Sequence, residues 1–171
     1  MIEHELLLLG LLKESPKHGY EIKKKIKEII FLFAGINLKS IYYPLRILEK
    51  KGLVKKRVYK EGARPPRFIY ELTPKGERRF QTLLLKSFLD FKRPEFSLDL
   101  SLYFLNYIKP DIVRRRLRAR LTLLEKLIHG LVTTIHSLRH KKPFSLVPIL
   151  EHNLQMVKAE HKFLRELIGN L

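Results

Sequence analysis

Between Leu38 and Thr73 the apolar period of the sequence changes once, from helical to alternating, and that change restricts the fold more than any other feature. Leu38, Ile41, Leu45 and Leu48 are spaced three, four and three residues apart, the stripe of a helix over about 38–51 buried on one side. Asn37 or Ser40 is the candidate N-cap, and Gly52 is the left-handed stop. Pro44 fits only near the first turn, where few backbone N–H groups are bonded, or else bends the helix. From Leu53 the period drops to two: Val54 and Val58 alternate with basic residues as far as Lys60. Glu61 to Pro66 carries Gly and Pro and reads as a turn. Arg67 to Thr73 then sets Phe68, Tyr70 and Leu72 on one face and Arg67, Ile69 and Glu71 on the other.

Helices flank this unit. Residues 2–13 carry Leu6, Leu8, Leu9 and Leu12 at helical spacing, and Ser15-Pro16 ends them. A second helix starts after His18-Gly19, with Ile22, Ile26, Ile29 and Ile30 on one side and Lys23, Lys24, Lys25 and Lys27 on the other. Phe31 to Ile36 reads as a turn or frayed end, and Thr73-Pro74 opens a further helix as cap and first residue. Helix, helix, helix, hairpin, helix is the order of a winged helix-turn-helix, here over 1–92. In such a fold a helix enters the DNA major groove and a hairpin lies along the backbone.

Residues 93–171 are expected to be a helical dimerisation region, making the whole chain mostly α with a small β-hairpin wing. Pro94, Pro110 and Pro143 divide it into segments of about 96–108, 111–140 and 144–169. Leu117, Leu121, Leu124, Ile128 and Leu131 continue at heptad steps through the second, and Val147, Leu150, Leu154, Val157 and Leu164 through the third. A hairpin within one chain buries the same stripes. Leu123, Leu127, Val132, Phe144, Ile149, Phe163, Leu167 and Leu171 are more apolar surface than one hairpin hides, which points to a two-fold dimer.

Charge narrows the function. There are 35 Lys and Arg against 17 Asp and Glu, a net charge of +18, and such a surface attracts polyanions and releases counterions on binding them. Residues 39–79 hold thirteen basic and four acidic side chains, half the excess in a quarter of the chain. The absence of cysteine excludes disulfides, thiolate metal sites and cysteine nucleophiles, and a reducing cytoplasm is the natural compartment. Neither a membrane span nor a signal peptide is expected: the apolar runs 6–12 and 29–36 are short, and Glu3 and Glu5 occupy the place of a basic leader. Phosphate-loop, dinucleotide, zinc-protease and nucleophile-elbow motifs are missing, and the acids are scattered, so no enzyme is expected. His136 and His140 are one turn apart but lack a third ligand, so neither metal nor cofactor is expected.

Three blocks resemble the PadR family of transcriptional regulators. His18-Gly19-Tyr20-Glu21-Ile22 resembles the family's HGYE[LI] opening of the second helix. Ser40-Ile41-Tyr42-Tyr43-Pro44-Leu45-Arg46-Ile47-Leu48-Glu49-Lys50-Lys51-Gly52-Leu53-Val54 resembles its recognition-helix block. Tyr70-Glu71-Leu72-Thr73-Pro74-Lys75-Gly76 resembles its wing-to-helix block. Pro44 stands one place later than the family's proline, and Lys39 stands where glycine is common. The resemblance implies a homodimeric regulator, usually a repressor, each of whose subunits meets half of a palindromic operator in double-stranded DNA. It also implies a small aromatic or lipophilic effector. The competing readings are a basic architectural module without sequence preference and a MarR-like regulator, whose dimer draws on helices at both termini.

The DNA-contacting candidates are Lys39, Ser40, Tyr43, Arg46 and Lys50 on the third helix and Lys60, Arg64 and Arg67 around the wing tip. Tyr42 reads as core or backbone support, and His18 and Tyr20 as residues that set the second helix on the first. Lys55, Lys56 and Arg57 lie behind the tip. Phe88, Phe91, Phe96, Tyr103, Phe104 and Tyr107 read as aromatic core more readily than as an effector pocket. The cluster Arg114, Arg115, Arg116, Arg118 and Arg120 is either a solvated face or an added anion-binding surface.

Overall fold

The computed structural model describes residues 2–29, 40–59, 67–91, 97–139 and 145–171. The chain divides into two compact units, Met1–Arg93 and Pro94–Leu171.

In the first unit the elements are α1 (Ile2–Glu14), β1 (Lys17–His18), α2 (Gly19–Ile29), α3 (Tyr42–Lys50), β2 (Val54–Tyr59), β3 (Arg67–Leu72) and α4 (Pro74–Ser87). The strands form an antiparallel sheet in the order β1-β3-β2, with Lys56 opposite Tyr70 and Lys17 on the far side of the same Tyr70. β1 was not legible in the sequence, since two residues carry no period. Leu8, Leu9 and Leu12 of α1, Ile22 and Ile26 of α2, Ile41, Leu45 and Leu48 at α3, and Leu53, Val54, Tyr70 and Leu83 form one core.

Helix α3 is shorter than the expected 38–51, although residues 38 and 39 lie outside the described chain. Ile41, not Ser40, is its N-cap, and no side chain caps it. Pro44 is then the third helical residue, a position whose N–H has no backbone partner within an α-helix. The first intrahelical bond runs from Leu45 N–H to the Ile41 carbonyl at 3.0 Å, so Pro44 removes nothing from the ladder. Gly52 closes the helix at φ 68°.

The turn into the wing and out of it is locked by Thr73. Its hydroxyl donates to the Gly52 carbonyl at 2.7 Å and accepts from Gly76 N–H at 3.0 Å, capping α4 as expected, with Pro74 first in the helix. Gly76 must be glycine, because a Cβ there would stand 2.0 Å from the Leu53 carbonyl oxygen.

The second unit contains α5 (Asp99–Tyr103), a 3-10 turn (Leu105–Tyr107), α6 (Pro110–Leu138) and α7 (Leu146–Asn170). Helix α5 and the turn replace the single helix expected over 96–108. Helices α6 and α7 pack as a hairpin. Its core is Val113, Leu117, Leu124 and Leu164, backed by Leu121, Val157 and Ile168, with Ile135 and Leu150 buried further along. The heptad positions assigned to a dimer therefore serve first inside the chain: Leu117, Leu124, Leu150 and Leu164 are buried, and Leu121, Ile128, Leu131, Val147, Leu154 and Val157 are partly so. Leu123, Leu127, Val132 and Phe163 stay exposed. Of the residues read as aromatic core, Phe88 and Phe91 in the first unit and Tyr103, Phe104 and Tyr107 in the second are exposed, and Phe96 lies outside the described residues.

Candidate nucleic-acid interface

The buried stripe of α3 fixes what its other side presents. With Ile41, Leu45 and Leu48 in the core, Tyr43, Arg46 and Lys50 project into solvent, and Ser40 is exposed just ahead of the helix. The Arg46 guanidinium carbon sits 5.7 Å from the centre of the Tyr43 ring, a cation–π contact that limits its range of positions. No carboxylate pairs with Arg46 or Lys50 among the described residues, so both charges remain available. Helix α2 adds exposed Lys23, Lys24 and Lys27, while Lys25 faces Glu28 at 3.6 Å.

The wing carries two kinds of basic residue. Lys55 and Arg57 share Glu71 across the strands at 2.9 and 3.3 Å, which reduces their net charge. The hydrogen bond from Lys55, helped by the Arg57 charge, holds the Glu71 carboxyl below the ordinary glutamate value. On the other face Lys56 stands over the Phe68 ring, 3.6 Å from its centre, with no carboxylate partner among the described residues. Lys55, Lys56 and Arg57 are all exposed on strand β2, on the α3 side of the turn expected at 61–66. The alternation from Val54 puts Lys56 opposite Tyr70, on the same face of the sheet as Phe68. Arg67 opens β3 opposite Tyr59. Lys39, Lys60 and Arg64 lie outside the described residues.

The motif residues support this surface. His18 N–H donates to Glu21 Oε2 at 2.6 Å, and His18 Nδ1 lies 3.2 Å from the Phe68 carbonyl. His18 also stacks on Tyr20 at 5.6 Å between ring centres. His18 thus ties the start of α2 to the sheet, not to α1 as expected. Gly19 is buried, and a Cβ on it would meet the Tyr42 ring at 3.1 Å. Tyr42 is 57% exposed, so it is a support for α2 rather than core. Burial, with the nearby Glu49, raises the Tyr70 hydroxyl pKa and keeps that group neutral.

Of the arginine cluster on α6, Arg120 is spent on Glu160 at 2.6 and 2.8 Å and Arg114 on Asp111 at 3.0 Å. Arg115, Arg116 and Arg118 form no ion pair among the described residues. Among the described residues no group of three or more His, Asp or Glu side chains is placed to hold a metal, and no helix is long and apolar enough to cross a membrane.

Residues 8–82, from within α1 to within α4, match the model of the transcriptional regulator PadR-like family. Over this domain the chain is similar to the PadR-like family. That family is one of transcriptional regulators, not of enzymes. No curated protein matches the chain. Solved structures show the same fold over nearly the whole length. Bacillus subtilis PadR in complex with operator DNA is 21% identical, with 96% of this chain and 95% of that one covered and a TM-score of 0.77. The same regulator with p-coumaric acid gives 21%, 96% of each chain and 0.76. The Vibrio cholerae virulence activator AphA gives 16%, 98% and 96%, and 0.73. The PadR-like match also accounts for the three sequence blocks, whose residues are the capped start of α2, the two sides of α3, and the Thr73–Gly76 lock.

Proposed function

We propose that this PadR-like chain is a homodimeric, sequence-specific DNA-binding repressor that acts in the cytoplasm. Helix α3 enters the major groove, and the β2–β3 wing follows the adjoining backbone. One observation carries the reading: α3 buries Ile41, Leu45 and Leu48 and so turns an unpaired, aromatic-braced Arg46 outward, with Lys50 one turn on. Arg46 reads a guanine edge, while Lys50, Lys39, Ser40 and Tyr43 position the helix on phosphate and sugar. Lys60, Arg64 and Arg67 do the same from the wing, and Lys56 joins them. B. subtilis PadR, solved with operator DNA, shares the fold.

Dimerisation falls to the apolar surface that the α6–α7 hairpin leaves exposed, so that two α3 helices meet the two halves of a palindrome. A small aromatic or lipophilic effector relieves repression, a reading supported by the p-coumaric acid complex of the B. subtilis relative. The test is a titration against a duplex from the protein's own promoter and a scrambled duplex, at two salt concentrations. A promoter preference of about a thousandfold is expected. Equal affinities that collapse together as salt rises would overturn sequence reading and leave an architectural DNA-binding module.

A further inference from the structure

A cleft of about 390 Å³ opens in the second unit beneath α5, between the 3-10 turn and the first turns of α6. Its walls are aliphatic, including Leu102, Leu105, Ile108, Ile112 and Leu117, and among the described residues no aromatic ring lines it. Two arginines reach its edge, and they differ in state. Arg120 is neutralised by the two-pronged contact with Glu160 and also donates to the Ser97 hydroxyl at 3.1 Å. Arg116 is exposed and makes no ion pair among the described residues. Among the described residues the one uncompensated charge on this apolar cleft is thus a single guanidinium.

We infer that the cleft binds an aliphatic monocarboxylate of medium chain length, its chain between α5 and α6 and its carboxylate on Arg116. The volume falls in the range of small-molecule sites, which are mostly apolar with few polar anchors. A guanidinium and a carboxylate form the strong, charge-assisted kind of hydrogen bond. Aliphatic walls with a cation at the rim match a fatty acid and leave the hydroxyl of the corresponding alcohol without a charged partner. Such a ligand braces α5 and the turn against α6. The inference gives one chemical form to the effector of the proposed function, but the binding itself does not depend on DNA.

Calorimetric titration of the full chain with octanoate and with 1-octanol tests it, alongside Arg116→Gln and Arg115→Gln. Octanoate should bind saturably, one per chain, and octanol at least about tenfold more weakly, the scale of one charge-assisted hydrogen bond. R116Q should weaken octanoate by a similar factor. R115Q, the same charge change on a neighbouring arginine outside the cleft, should leave it unaltered. No saturable octanoate binding, equal octanol binding, or equal losses in the two variants would overturn the site. Promoter affinity with and without octanoate is a separate readout: no change there, with octanoate bound, counts against the effector in the proposed function and not against the cleft.

Discussion

Thr73 and Gly76 show how much a single residue can decide. The Thr73 hydroxyl joins the end of α3 to the start of α4, through Gly52 on one side and Gly76 on the other. Gly76 lets the Leu53 carbonyl occupy the space of a side chain. Gly76→Ala forces backbone against Cβ, so its cost should reach or pass the roughly 1–3 kcal/mol of ordinary overpacking. Thr73→Ala loses a cap and should cost about 1 kcal/mol. Chemical denaturation of each variant measures both, and a Gly76→Ala cost below that of Thr73→Ala would refute the close approach. On the exposed side of α3, Arg46→Ala should cost about 1–3 kcal/mol of promoter binding and relax specificity. Lys50→Ala should weaken all duplexes alike and lower the salt slope by about one. Competition titrations separate the two patterns. Much of this was legible: Thr73 as cap, Gly52 as stop, and the outward set from the Ile41-Leu45-Leu48 stripe. The Tyr43–Arg46 contact was not, because spacing places two residues on one side but does not set their rotamers.

Among the elements, the wing has the most distinctive electrostatics. Glu71 sits between Lys55 and Arg57 on the neighbouring strand, and their contact depresses its pKa. A depressed carboxylate contributes stability that is complete above its unfolded value, about 4.3 for glutamate, and that fades as pH falls through the lower folded value. Wild type should therefore melt above Glu71→Gln at pH 7, and the gap should close as pH drops below about 4. Thermal melts of both proteins across that window check it, and a gap that widens toward acid would contradict the pairing. The same substitution frees Lys55 and Arg57, so it should tighten DNA binding at low salt if the wing lies on phosphate. The hairpin itself was readable from its period of two. The third strand was not, because Lys17-His18 is too short to show alternation and is held by the His18–Phe68 backbone contact. The stretch ahead of α6 misled for a related reason: with Leu, Tyr or Phe at eight of the thirteen positions of 96–108, it fits a continuous helix as well as the observed helix and 3-10 turn.

At the scale of the whole molecule, the heptads leave a choice that only packing resolves. The steps of Leu117, Leu121, Leu124 and Ile128 are the same whether α6 meets α7 of its own chain or a helix of another. In the structure those positions seal the hairpin, and Leu123 and Leu127 remain 66% and 49% exposed on the neighbouring stripe. The two sets should separate by experiment. Leu124→Ala removes a buried side chain and should cost about 2–5 kcal/mol of unfolding stability. Leu127→Lys alters no hairpin core residue and should leave the fold intact, but it sets a charge against the partner, where an unpaired buried cation is costly. Its expected effect is a dimer at least about tenfold weaker, read by sedimentation equilibrium, with the cooperative binding of two half-sites lost in parallel. If Leu127→Lys stays as dimeric as the wild type, the second copy sits elsewhere, and the exposed aromatics Tyr103 and Tyr107 become the next surface to charge. If it turns monomeric and still binds a single half-site through α3, the two units divide the work: the first reads the DNA, and the second sets how many copies read it together.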